Sequence, residues 1–384
     1  MATKTDRQSG DARAWLSRRA GMLAIAVGCV VLAIALPLLL AGPHHRAGGR
    51  GWDDMGGGAV PAAQWRPYSG RSPFNQSTSS AAVVPNSRAI VGDVLGRWGS
   101  PAPLYAGTAD TPQDFGHPTF YARPGDPIYT LHATNGAARS IEGLKIPIPA
   151  NARPAAGGDA HMTVVTPDGW EYDFWQVQSK PAGGGLLTYH GGGRTRIDGD
   201  GLGSGATASG FGNLAGVIRA PELESGHIDH ALFIVLKCTS ESTGFGYGTR
   251  ASPPQTGDGS YVYPADHGGS SCGSDDPNLP PLGTRFMLDL SNRQIQALPV
   301  PGWKKTILTA LARYGGYVGD TGGPGFGLQF ESSTTYTALG RPDPLVAFAR
   351  RNHLPEVRGL YAFNLSSGVD WERYLRVIAP PARP

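Results

Sequence analysis

Apolar positions along this chain follow two patterns. Near the N-terminus they form one unbroken run, Ala20 to Gly42, twenty-three residues without a formal charge. From Pro118 onward they come in short runs rich in β-branched and aromatic residues, divided by turn residues. The first pattern predicts a membrane span, because at about 1.5 Å per residue a helix of that length crosses the roughly 30 Å hydrocarbon core of a bilayer. A secretory signal has a shorter apolar core, about 7–15 residues before its cleavage site. Leu38 to Gly42 is where such cleavage would fit, which leaves secretion as the alternative to a retained anchor. Lys4, Arg7, Arg13, Arg18 and Arg19 precede the run while Arg46 and Arg50 follow it, an asymmetry that keeps the N-terminus in the cytoplasm. The expected organisation is a cytoplasmic tail over 1–19, a signal anchor over 20–42, a flexible glycine-rich tether over 43–64 and an extracellular domain over 65–384.

The second pattern predicts that domain to be mainly β. The strongest strand candidates are Ile128–His132, Leu144–Ile148, His161–Thr166, Trp170–Gln178, Ala231–Cys238 and Thr284–Leu290. Their spacing is that of an antiparallel β-sandwich of jelly-roll type. Between two of them, Thr166-Pro167-Asp168-Gly169 is a turn: proline presets φ at the second position and glycine accepts the left-handed one. Helices are expected at 88–95, at 303–314 with Trp303, Ile307, Leu311 and Tyr314 on one face, and near Pro344–Asn352. These are peripheral to the strands, too few for an α/β protein. Gly183 to Gly216 is glycine-dense without a fixed repeat period, so it reads as a long loop rather than a solenoid.

Composition narrows the picture. Charged residues make up 16% of the chain while it holds 56 Gly and 33 Pro, a balance that favours turns and short strands over long helices. A net charge of +3 with dispersed basic residues gives no footprint for nucleic acid. Of the three cysteines, Cys29 lies in the apolar run, leaving Cys238 and Cys272 in the exported part. An oxidising compartment allows them to pair, and the bridge would restrict the unfolded chain by about 3–4 kcal/mol. The alternative is two buried thiols.

The candidate chemistry centres on strand 170–178. Alternation puts Glu171, Asp173 and Trp175 on one face and Trp170, Tyr172, Phe174 and Gln176 on the other. Two carboxylates beside an aromatic ring are the equipment of glycoside hydrolysis, the ring offering a platform to a sugar's apolar face. The competing reading is a half-exposed strand whose acids are simply hydrated. A second cluster, Glu222 to Leu236, places His227 and Asp229 on one side and His230 on the other, toward the core. Imidazoles titrate near neutrality and suit proton transfer. His161, His227, His230 and His267 with Asp229 are therefore expected to converge if the strand ends meet. Asp320 and Glu331 are further candidates for a polar site, and turn chemistry accounts for Asp320 equally well. No metal-ligand spacing is present; Asp198-Gly199-Asp200-Gly201 resembles the start of a calcium loop but lacks the later ligands, so no cofactor is expected and Ca²⁺ at that turn is a minor alternative. Phosphate-binding, dinucleotide and serine-hydrolase motifs are missing, which removes nucleotide partners and those reaction classes.

Two resemblances follow. Glu171, Asp173 and Gln176 are similar to the Glu-x-Asp-x-x-Glu signature of jelly-roll β-glucanases and agarases, whose two glutamates act as nucleophile and general acid; here the last acid is an amide, so the likeness implies the shape more than the hydrolysis. The phrases at 171–176, 199–208, 227–232, 263–269 and 317–323 together resemble a group of exported actinobacterial proteins, over roughly residues 65–340. That likeness implies export and carries no catalytic role with it. The resulting expectation is a membrane-anchored extracellular enzyme acting on envelope or environmental polysaccharide by hydrolysis or elimination. Its catalytic candidates are Glu171, Asp173, His161 and His230, and its substrate-binding candidates are Trp175, Tyr172, His267 and Asp320. The alternative is a non-catalytic surface module that binds glycan or a protein.

Overall fold

Strand β6, Trp170–Ser179, is where the period-two pattern is strongest, and both of its faces end up buried. The computed structural model describes residues 60–135, 140–242, 259–323 and 325–381. The predicted span at 20–42 and most of the tether lie outside them. Among the described residues no helix is long and apolar enough to cross a membrane.

The described strands form three sheets, and the elements from Ala47 onward belong to one compact unit. The largest sheet runs in the order β2 (Thr119–Tyr121), β5 (Met162–Val165), β6, β7 (Gly185–Arg196), β3 (Ile128–Ala133), β4 (Lys145–Pro147). A five-stranded sheet has the order β11 (Phe326–Leu328), β8 (Leu232–Leu236), β10 (Gly316–Thr321), β9 (Arg285–Leu288), β14 (Leu375–Ile378). A small third sheet joins β1 (Leu104–Ala106), β13 (Leu360–Phe363) and β12 (Glu356–Val357). The protein is thus mainly β. Most neighbouring strands pair antiparallel, as expected, but both larger sheets are mixed, because β2–β5, β3–β7 and β8–β10 pair in parallel.

Helices α1 (Ser87–Trp98), α4 (Gly302–Arg313) and α6 (Pro344–Arg351) match the three predicted ones. Shorter pieces are α2 (Ala220–Ser225), α3 (Asn292–Ala297), α5 (Thr334–Thr337) and α7 (Trp371–Tyr374). Helix α4 buries Trp303, Ile307, Leu311 and Tyr314, the stripe expected of it. The turn after β5 closes as predicted: the Gly169 N–H donates to the Thr166 carbonyl at 2.9 Å, with Gly169 at φ +82°.

The glycine-dense stretch behaves differently from the expected loop. Its first part is β7, the longest strand described, paired with β6 on one side and β3 on the other. Glycine is required there by close approach. A Cβ on Gly192 would lie 2.3 Å from the Asp173 carbonyl oxygen, and one on Gly193 would lie 2.0 Å from that of Ser204.

Two apolar clusters fill the molecule. One lies on a single face of the six-stranded sheet and includes Tyr129, Leu131, Met162, Val164, Tyr172, Phe174, Leu187 and Tyr189. The larger one gathers the five-stranded sheet, α1, α4 and α6, and reaches Tyr121, Val165 and Ile197 beside the six-stranded sheet.

Candidate functional site

Glu171 and Asp173 point away from the Tyr172/Phe174 core, as alternation requires, and still have no exposed surface. The segment after β7 folds back over them. Glu171 accepts from the Tyr68 hydroxyl at 2.7 Å and the Leu214 N–H at 2.9 Å. Asp173 accepts from the Thr163 hydroxyl at 2.8 Å and the Asn213 N–H at 3.2 Å. The two carboxyl groups also hydrogen-bond to each other. Burial first, and for Glu171 the neighbouring Asp173 charge as well, pushes both upward, so the pair retains a proton. Neither expected role survives this packing: the acids are not hydrated on an open face, and they do not line a groove. They clamp residues 204–214 onto the sheet.

The other sequence candidates are dispersed. His230 is buried between Glu222 (Nε2 to Oε1, 3.0 Å) and the Ala231 carbonyl (2.8 Å), and Arg219 donates to the same Glu222 oxygen at 2.8 Å. Burial opposes ionisation of Glu222, yet the Arg219 and His230 charges hold it down to about 2. His227 and Asp229 pair at 2.9 Å on the surface beside Arg313 and Tyr314. The expected meeting of four histidines with Asp229 therefore does not occur. Tyr172 packs in the smaller core, on the face opposite the acids, and is no sugar platform. Asp198 pairs with Arg196, and Asp200 accepts from the Leu202 N–H, so both serve the turn. Among the described residues no three His, Cys, Asp or Glu side chains are grouped to hold a metal ion. Cys238 and Cys272 form the expected disulfide, with Cα atoms 5.1 Å apart.

A different set does converge, at the point where β5 and β6 kink. Ala160 and Gln176 both sit in the left-handed region, at φ +39° and +50°, and the backbone carbonyls of Asp159 and Ala160 accept from Gln176 and Val177 at 2.8 and 3.2 Å. Such strain persists only where the surroundings over-determine it. It fixes Asp159, half-exposed, against the Trp175 indole, whose Nε1 donates to Asp159 Oδ1 at 3.4 Å. The Trp175 ring meets the His190 ring edge-on at 5.2 Å. Asp320, at the register break of β10, comes close enough for its charge to interact with that of Asp159. Its carboxyl accepts from the Thr321 N–H at 2.7 Å and from the Ala208 N–H. Burial, reinforced by Asp159 and opposed by those N–H donors, pushes Asp320 up to about 7.

Beneath these groups lie His117 and His161, rings 4.6 Å apart. His117 Nδ1 donates to the Asn213 carbonyl at 3.0 Å, which links the pair to the Asp173 network. Burial lowers both, His117 to about 4 and His161 well below its ordinary value with the help of the neighbouring His117 charge, so both are neutral imidazoles at neutral pH. His161 bonds the Phe174 backbone while its Nδ1 is buried without a partner.

The site thus contains His161, Trp175 and Asp320 from the sequence candidates, and Asp159, His117 and His190, which sequence reasoning passed over. A signal for Asp159 was present: Gly157-Gly158-Asp159-Ala160-His161 is a turn-prone run delivering an acid and a histidine to the start of a predicted strand. What the arrangement can do is carboxyl chemistry, with one acid pushed up to about 7 by burial, a second acid beside it, and an aromatic face adjoining. Two clefts, of about 660 and 640 Å³, are lined by other residues, around Ile228, Ile295 and Thr309 and around Ala220, Tyr336 and Pro344. Compared with protein families, curated proteins and solved structures, the chain matches none, so the function of this site rests on its own geometry.

Proposed function

We propose that this protein is a membrane-anchored extracellular glycoside hydrolase whose acid pair is Asp159 and Asp320, in place of the pair expected on β6. The observation that carries this reading is the strained turn that sets Asp159 against the Trp175 indole at 3.4 Å, with Asp320, which burial pushes up to about 7, near enough to feel the Asp159 charge. A neutral carboxylic acid can give its proton to a leaving glycosidic oxygen. The Asp159 carboxylate, oriented by the Trp175 N–H, faces the positive charge that develops on the sugar ring. Trp175 offers the face on which that ring stacks. Export is supported by the disulfide and by the charge asymmetry around residues 20–42. A core shared by the two larger sheets supports a sandwich-like body, while the parallel pairs argue against jelly-roll connections.

Full-length protein should release reducing ends from at least one member of a polysaccharide panel. Asp320→Asn and Asp159→Asn should each lower turnover by at least about 10²-fold, the usual contribution of a positioned acid or base, with the unfolding midpoint retained. Unchanged turnover in both variants would refute the assignment. A non-catalytic glycan-binding role is favoured by the full internal use of Glu171, Asp173 and His230. It would show itself as retention on immobilised polysaccharide that Trp175→Ala abolishes, without any turnover.

A further inference from the structure

Asp266 and His267 lie 54 and 53 residues from the nearer of the two proposed acids, yet the fold ties them to Asp320 from two directions. The segment Ala208–Gly210 is the link. On one side the Ala208 N–H donates to the Asp320 carboxyl and the Ser209 N–H to the Gly319 carbonyl at 3.2 Å. On the other, the Ser209 carbonyl accepts from the Asp266 N–H at 3.1 Å. Gly210 stands at φ +77°, and a Cβ there would fall 1.9 Å from Asp266 Oδ1 and 3.0 Å from His267 Nδ1. Only glycine lets the pair close on this segment. A second tie runs alongside: the Ser270 N–H donates to Thr321 Oγ1 at 3.0 Å, and a Cβ on Gly269 would meet the Thr321 side chain at 2.8 Å. Residues 266–270 are therefore fastened along the end of β10 that carries Asp320. His267 Nδ1 is in hydrogen-bond contact with Asp266 Oδ1, and the two side chains keep 55% and 49% of their surface exposed.

We infer that His267, oriented by Asp266, is the general base of the site, the proton acceptor that the acid pair lacks. A carboxylate bonded to Nδ1 fixes the imidazole's tautomer and turns Nε2 into the basic nitrogen. During hydrolysis the water oxygen bonds to the anomeric carbon as His267 takes one of its protons. The bond from that carbon to the glycosidic oxygen breaks as Asp320 gives its proton to the leaving oxygen. The proton on His267 then returns to Asp320 through solvent, and the cycle closes with no other reactant. His267 acts on the reacting water and is the catalytic residue; Asp266 is a positioning residue.

This inference rests on the hydrolase reading, and two measurements separate their failures. On a polysaccharide the full-length protein turns over, His267→Ala should lose about 10²-fold in turnover with little change in KM, and added imidazole should restore part of it. Asp266→Asn should lower turnover alone, and Asp266→Glu should recover it. Wild-type turnover that His267→Ala leaves intact overturns the inference while the acid pair stands. If the panel shows no turnover, the hydrolase reading falls, and the dyad is tested by reactivity toward diethyl pyrocarbonate. His267 should be acylated severalfold faster in the wild type than in Asp266→Asn; equal rates overturn the dyad as well.

Discussion

Asp320 and Glu331 show how burial changes what an acid does to the fold. Glu331 is 6% exposed, accepts from the Ala220 N–H at 2.6 Å and the Tyr336 hydroxyl at 2.8 Å, and is pushed by burial up to about 7. A raised acid pKa means that the native state holds the proton more tightly than the unfolded chain. Its stabilising contribution is complete below the unfolded value of about 4.3 and is lost as pH rises through about 7. Glu222 works in the opposite sense, contributing above the unfolded value and losing its effect as pH falls toward about 2. The buried His117 also sets an acid limit: its neutral form is favoured in the fold, so stability is lost as pH falls from the unfolded value of about 6.5 through about 4. Glu331→Gln keeps an acceptor for both donors and removes the titration. Its unfolding free energy by urea should fall less between pH 4.5 and 7.5 than that of the wild type, by on the order of 3 kcal/mol. A slope equal to the wild type's would contradict this account. The sequence offered both Asp320 and Glu331 for a polar site, with turn chemistry an equal account of Asp320; that burial raises both was not legible there.

At the scale of elements, the predicted strands and helices formed where local pattern demanded, and the exception is instructive. β7 carries three consecutive glycines, Gly191 to Gly193, which lowers strand propensity and suggests a loop. Tertiary packing overrides it, since two backbones must approach where a side chain would stand. Gly193→Ala should therefore push Ser204 and the segment behind it off the sheet and cost about 2–3 kcal/mol in chemical denaturation. Gly302→Ala, at the exposed first position of α4 with open space around it, should stay within about 0.5 kcal/mol. Equal effects would show that close approach is not what keeps Gly193 a glycine. The kink at Ala160 and Gln176 belongs to the same scale. Alternation extends only to Trp175, and beyond it the strained pair redirects the chain and delivers Asp159.

For the whole molecule, one covalent link joins the end of β8 to the segment that runs past Asp320. Cys238 and Cys272 are 34 residues apart in sequence. Cys238→Ser should lower the unfolding free energy by about 3–4 kcal/mol, the loop-entropy value for that separation, and reducing agent should destabilise the wild type to the same extent while leaving the variant unaffected. A wild type indifferent to reductant would show that the bridge adds nothing. The pairing was legible from composition alone, because one cysteine falls in the apolar run and only two remain to meet.

Local information was enough to place most strands, the turn at 166–169, the buried stripe of α4 and the identity of the disulfide, since each depends on neighbours within a few residues or on a count. It also assigned Glu171 and Asp173 correctly to one face of β6. Whether that face meets solvent was decided by the segment after β7, which folds over it and turns the expected catalytic pair into a buried clamp. The same tertiary arrangement brought Asp159 to Asp320, 161 positions away, at a half-exposed edge. Periodicity reports which side chains share a face; what covers the face is fixed by chain segments too distant in sequence for any local pattern to encode.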